Sequence, residues 1–187
     1  SQLKPFEDSL IQNGKTSLED AERIKAWLER TVVGQPEAIE AAHAMVVRDA
    51  IYGKNDIPAH MVLMGAPGTG KDTVAKNFTD ALIGQKDAWR KHMHNINAIG
   101  NKEELWSILG SATGYVGSDS LSPLVHFIVE HSGGRYEIVK GQGAGGRDKE
   151  YVTENERWKP GMVAPGTFPP EQAVLYLNEF HDWSKEA

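Results

Sequence analysis

Apolar positions recur at helical spacing twice near the start of the chain. Ile24, Trp27, Leu28 and Val32 share one face of a helix that Ser17 opens as N-cap, with Asp20 at the capping-box position, and Gly34 stops it. A second helix begins with Pro36 in its first turn, turns Ile39, Ala42, Val46 and Ala50 inward, and runs to Gly53. After a loop from Asn55 to Pro58 the pattern changes to a short apolar run, His60 to Met64, which predicts a buried strand. The segment behind it returns to helical spacing with Val74, Phe78, Ala81 and Leu82, and Gly84 marks a turn.

Further along, His92 to Ile96 predicts a second strand and Glu103 to Leu109 a short helix that Gly110 ends. Gly114-Tyr115-Val116-Gly117 reads as a loop, and Ser122-Pro123 as the entry to a helix with Leu124, Val125, Ile128 and Val129 pointing inward. Residues 133–170 are rich in glycine and proline and read as an insertion, with Arg135 to Lys140 and Lys149 to Thr153 forming a hairpin around the Gly141 to Gly146 tip. Ala173 to Leu177 is the clearest remaining strand, and it delivers Asn178 and Glu179 to its C-terminal end. Strands alternating with helices predict an α/β fold with a parallel sheet. Residues 1–16 form a polar N-terminal arm, and 17–187 one core that carries the insertion.

Composition narrows the partners. The net charge of -6 disfavours electrostatic binding to nucleic acid or to an anionic membrane surface. With 0 cysteines there are neither disulfides nor thiolate metal sites. The sequence shows no signal-peptide core and no run near the roughly 20 apolar residues of a membrane span, so the expected compartment is the cytoplasm. His92 and His94 would lie on one face of a strand, but without a third ligand nearby they do not predict zinc.

The chemistry concentrates in Gly65-Ala66-Pro67-Gly68-Thr69-Gly70-Lys71, between the apolar run and a helix. That string predicts a phosphate-binding loop. Glycines let backbone N–H groups curl around a phosphate, the helix N-terminus adds partial positive charge, and Lys71 reaches the β/γ oxygens. The hydroxyl that such loops place next to hold magnesium is replaced by Asp72, with Thr73 one residue late.

With these pieces in order, the chain resembles the large subdomain of an AAA+ ATPase, most closely the Clp protein-unfoldase branch. Val32-Val33-Gly34-Gln35 is similar to that family's adenine-contact segment, Gly65 to Lys71 to its Walker A loop, Leu175 to Glu179 to its Walker B strand, and Gly114 to Gly117 to the pore loop that grips polypeptide. The resemblance implies a P-loop NTPase fold with a parallel sheet between helices, ending after the Walker B strand. It also implies ATP or ADP bound by Val32, Val33, the loop residues Gly65, Ala66, Pro67, Gly68, Thr69, Gly70 and Lys71, and by Asp72 and Thr73. Glu179 would be the catalytic base, and Tyr115 and Val116 would contact a polypeptide substrate. The complete protein would be a homo-oligomeric ring, six-fold in the family, that unfolds or remodels polypeptides as a chaperone.

Two departures fall on the metal. The family has a hydroxyl after the Walker A lysine and an aspartate before the Walker B glutamate, whereas this chain has Asp72 and Asn178. Either the exchange is compensated, with Asp72 and Asn178 together serving Mg²⁺, or the chain is a nucleotide-binding scaffold or regulatory module that does not hydrolyse. The family's sensor strand, arginine finger and helical lid have no recognisable counterpart; either the sequence is a fragment of a longer protein, or another segment supplies the missing central strand, and the insertion hairpin is the candidate for the second case.

Overall fold

The computed structural model describes residues 16–52, 58–97, 104–105, 108, 119–143, 146–170 and 172–178. The chain divides into two compact units, Ser1–Met93 and His94–Ala187.

In the first unit α1 (Leu18–Thr31) starts at the expected box: Ser17 Oγ accepts from the Asp20 N–H at 3.1 Å, and the Asp20 carboxylate accepts from the Ser17 N–H at 2.8 Å. Two otherwise orphaned donors are thereby satisfied. The face so positioned buries Ala21, Ile24 and Leu28 completely, and full burial of each large side chain stabilises by about 1.5–3 kcal/mol. α1 packs on both α2 (Pro36–Tyr52) and α3 (Lys71–Ile83). α2 contributes Ile39, Ala42 and Val46 to this core, and α3 contributes Val74, Ala75, Phe78 and Ala81. Ala50 and Leu82, expected inside, are half-buried.

The far end of α3 is closed by its neighbours. The guanidinium of Arg23 on α1 donates to the carbonyls of Ala81 and, at 3.3 Å, Leu82. Burial lowers the Arg23 pKa to about 10, against the opposing pull of Asp20. Gly84 follows α3 in the left-handed region and donates to the Asp80 carbonyl at 2.8 Å, a glycine C-cap. The Asp80 carboxylate, almost fully buried, accepts from the N–H groups of Asp87 (2.8 Å) and Trp89 (2.9 Å) and so fixes the turn into the short α4 (Trp89–His92).

The run His60 to Met64 is a correction. It forms no strand; Val62 is 78% and Met64 91% exposed. Apolar character licenses a strand only where a second strand completes the hydrogen-bond ladder, and the sheets among the described residues pair other strands.

The second unit holds a small parallel sheet in which β1 (Met93–Ile96) pairs with β4 (Val174–Leu177). His92, expected to begin β1, instead ends α4. Within 103–109 the described residues Glu104, Leu105 and Ile108 are helical. α5 (Pro123–Glu130) begins as anticipated, Ser122 Oγ accepting from the Val125 N–H at 3.3 Å with Pro123 in the first turn. Ile128, expected inside, is 54% exposed, and no residue of α5 is fully buried.

The hairpin forms as β2 (Tyr136–Gln142) and β3 (Asp148–Glu154), antiparallel, with Tyr136 opposite Glu154 and Gln142 opposite Asp148. It is a sheet of its own and does not complete the β1–β4 sheet, which corrects the expectation of a supplied central strand. Its anchor is Glu150, whose carboxylate accepts from the Leu121 N–H at 3.1 Å and meets His126 at 3.2 Å. The Leu121 N–H, with His126 behind it, holds Glu150 below the usual carboxylate range.

A buried turn, His131 to Gly134, links α5 to the hairpin. Ser132 Oγ donates to the Val129 carbonyl (2.7 Å) and accepts from the Tyr136 N–H (3.1 Å). The Gly133 N–H donates to Phe168 O (2.8 Å), and Gly133 O accepts from the Ala164 N–H (2.9 Å). The His131 ring lies between those of Phe127, 4.2 Å away, and Phe168, 4.8 Å away. The chain from 155 to 170 is therefore laced onto the turn through its backbone.

Candidate phosphate-binding site

The loop that leads into α3 has the shape its glycines permit. Gly68 (φ 78) and Gly70 (φ 90) both lie in the left-handed region, where a side chain would be strained. Gly70 occupies the N-cap of α3 and supplies no side-chain cap, and backbone N–H groups at the start of an α-helix point out of its end. The helix dipole adds partial positive charge there. An anion at the N-terminal end of α3 would meet both.

Inside the loop, Ala66 O is a hub. It accepts from the Thr69 N–H (3.3 Å), Thr69 Oγ1 (2.8 Å) and Lys71 Nζ (2.9 Å). Lys71 also donates to Gly65 O at 2.7 Å. A side chain at position 65 would meet Thr69 Oγ1 at 2.8 Å, which explains glycine there. Asp72 and Thr73 follow on the exposed first turn.

The structure brings one further predicted segment to this loop. Gln35 Nε2 donates to Thr69 O at 2.7 Å, tying the connection between α1 and α2 to the phosphate loop. Val32 caps the end of α1 with its side chain buried, whereas Val33 is 92% exposed. A base lying here would meet Val33 directly and Val32 through its backbone. Along the flank of α3 a cleft of about 400 Å³ is lined by Trp27, Thr31, Thr73, Asn77, Asp80 and Trp89, among others. Lys76 Nζ sits 4.5 Å from the centre of the Trp89 ring. The sequence pattern assigns no role to the side chain of Gln35 or to Trp89, and places Trp27 only on the apolar face of α1. Gln35 carries a usable signal, being a polar side chain immediately after Val32-Val33-Gly34.

The remaining predicted residues are distributed differently. Asn178 lies in the second unit, at the end of β4, where its N–H donates to Ile96 O at 2.8 Å. Glu179, Tyr115 and Val116 lie outside the described residues. Among the described residues no group of three or more His, Asp or Glu side chains could hold a metal ion, and no helix is long and apolar enough to cross a membrane. No protein-family model and no curated protein matches the chain.

Proposed function

We propose that the chain is the nucleotide-binding core of a Clp-like AAA+ protein, taking the polyphosphate of ATP or ADP at Gly65 to Lys71 and the base beside Val32 and Val33. The observation that supports this reading is the junction of two separately recognised segments: Gln35, the last residue of the adenine-contact segment, is bonded to Thr69 in the phosphate loop. Backbone N–H groups at the start of α3 would hold the phosphates, and Lys71 would transfer its ammonium to them. In the complete protein, a homo-oligomeric ring would move polypeptide past Tyr115 and Val116, with Glu179 orienting the attacking water. Mg²⁺, where bound, would neutralise phosphate charge, and a nucleotide-bound magnesium needs only one or two carboxylates.

Calorimetric titration with ADP tests the site. Lys71→Ala should lower affinity about 10–150-fold, the equivalent of roughly 1.5–3 kcal/mol for a charge-assisted bond; unchanged affinity would remove the phosphate site. Phosphate release by the full-length assembly, with and without unfolded protein, tests the unfoldase role, which Tyr115→Ala should abolish.

A second reading, a nucleotide-binding scaffold without turnover, rests on the replacement of the magnesium-holding hydroxyl by Asp72, and the two readings differ in metal dependence. Asp72 places a carboxylate on the exposed first turn beside Lys71, and at about 4 Å from a phosphate charge its repulsion is worth roughly 4 kcal/mol at an effective dielectric near 20. A double-mutant cycle separates the two. If the exchange is compensated, Asp72→Thr and Asn178→Asp should each impair magnesium-dependent binding and the pair should restore it. In a scaffold, magnesium should not help and the double variant should bind more tightly than the parent.

A further inference from the structure

We infer that Gln35 is a positioning residue for the phosphate loop: its side-chain amide holds the Thr69–Gly70 peptide in the orientation that presents the Gly70 N–H to a polyphosphate. This role rests on Gly65 to Lys71 being a phosphate site, and adds to that reading a residue that makes phosphate binding depend on the α1–α2 connection.

The peptide plane couples the two ends of the bond. A trans peptide fixes the N–H of one residue opposite the C=O of the residue before it, so holding Thr69 O fixes where the Gly70 N–H points. The bond from Gln35 Nε2 to Thr69 O is 2.7 Å long and points the Gly70 N–H away from Gln35. Such a peptide would otherwise turn readily. Its rotation is absorbed by ψ of Thr69 and φ of Gly70, and glycine occupies both signs of φ at similar cost. Gly70 stands at φ 90. The other loop bonds hold different atoms: the Thr69 N–H and Oγ1 both donate to Ala66 O, and Lys71 donates to Gly65 O and Ala66 O. They restrain the amide side of Thr69, and Gln35 restrains its carbonyl.

Gln35 is itself well anchored. Its own carbonyl accepts from the Ile39 N–H at 3.1 Å in the first turn of α2, and Ile39 is buried in the three-helix core. Rigidity of the core therefore reaches the loop through one side chain. The chemistry is also specific, because a carbonyl needs a donor. Glutamate has the same shape without the N–H and would set a carboxylate against the carbonyl oxygen.

The test uses the intact chain with inorganic pyrophosphate as probe, titrated calorimetrically, alongside thermal melting. Gln35→Ala and Gln35→Glu should each weaken pyrophosphate binding at least about tenfold, a loss of roughly 1.4 kcal/mol, while the melting midpoint stays put. Without any ligand, the Gly70 amide resonance should broaden or move in Gln35→Ala while that of Phe78, buried further along α3, stays fixed. Unchanged pyrophosphate affinity in Gln35→Ala overturns the inference, as does weakening in Gln35→Glu alone, which would mark charge repulsion rather than lost positioning. If the parent chain binds no pyrophosphate, the phosphate-site reading falls; an undisturbed Gly70 resonance in Gln35→Ala would then separately remove the positioning role.

Discussion

The two units are held together by different means. The first buries a run of aliphatic and aromatic side chains between helices: Ala21, Ile24 and Leu28 from α1, Ile39, Ala42 and Val46 from α2, Val74 and Phe78 from α3. The described part of the second buries chiefly polar groups and glycines around the turn His131 to Gly134, and α5 keeps every side chain at least partly in contact with solvent. Apolar packing is non-directional and tolerates small shifts, whereas a hydrogen-bonded turn depends on each donor meeting its acceptor. The first unit should therefore be sensitive to lost volume, and the second to lost partners and backbone strain.

The largest contrast is expected from paired truncations of apolar side chains. Leu28→Ala should destabilise the first unit by about 2–5 kcal/mol, while Ile128→Ala, at a half-exposed site, should stay within about 0.5 kcal/mol. Denaturant titration of both variants measures this, and equal losses would erase the distinction. Gly134→Ala should cost the second unit roughly 2–4 kcal/mol, since a left-handed backbone is joined there by overpacking. The residue has φ 85, and an added Cβ would lie 2.3 Å from the Ala164 Cβ. Ser132→Ala should cost somewhat less, about 1–3 kcal/mol, by leaving the Tyr136 N–H without its acceptor. Loss of amide protection at Tyr136 but not at Leu28 would place the effect where the hydrogen bonds are.

The smallest effect is one of pH. Burial lowers the pKa of His94 from its ordinary 6.5, so folding favours the neutral ring. A depressed folded pKa means that this contribution is complete above the unfolded value and is lost as pH falls through the folded one. Melting of the second unit should thus weaken below about pH 6.5 before carboxylates protonate, and His94→Gln should flatten that slope. A slope unchanged in the variant would assign it to another group.

Legibility in the sequence follows the kind of force involved. The Ser17–Asp20 box, the aliphatic faces of α1 and α2, the Ser122-Pro123 entry to α5 and the hairpin are readable because each rests on neighbours in sequence. The glycine loop is readable for the same reason, as Gly68 and Gly70 adopt the φ that only glycine takes easily. The run His60 to Met64 misleads because a strand is made by its partner, and apolarity alone does not supply one. Ile128 misleads because helical spacing gives a face but not what covers it. The contacts of Gln35 with Thr69 and of Arg23 with Ala81 and Leu82 join residues far apart along the chain, and no local pattern encodes such pairs.

The two bonds of Lys71 make its side chain a clasp as well as a charge. The ammonium draws the carbonyls of Gly65 and Ala66 toward the start of α3, so the curvature of the loop and the position of the cation are a single mechanical variable. A group that pulls the ammonium outward also releases the loop's near end, and a group that neutralises it does the same. Acetylation of Lys71 would slacken the loop while removing its charge, and arginine at this position, with a planar fork in place of a compact head, would close the clasp to a different radius.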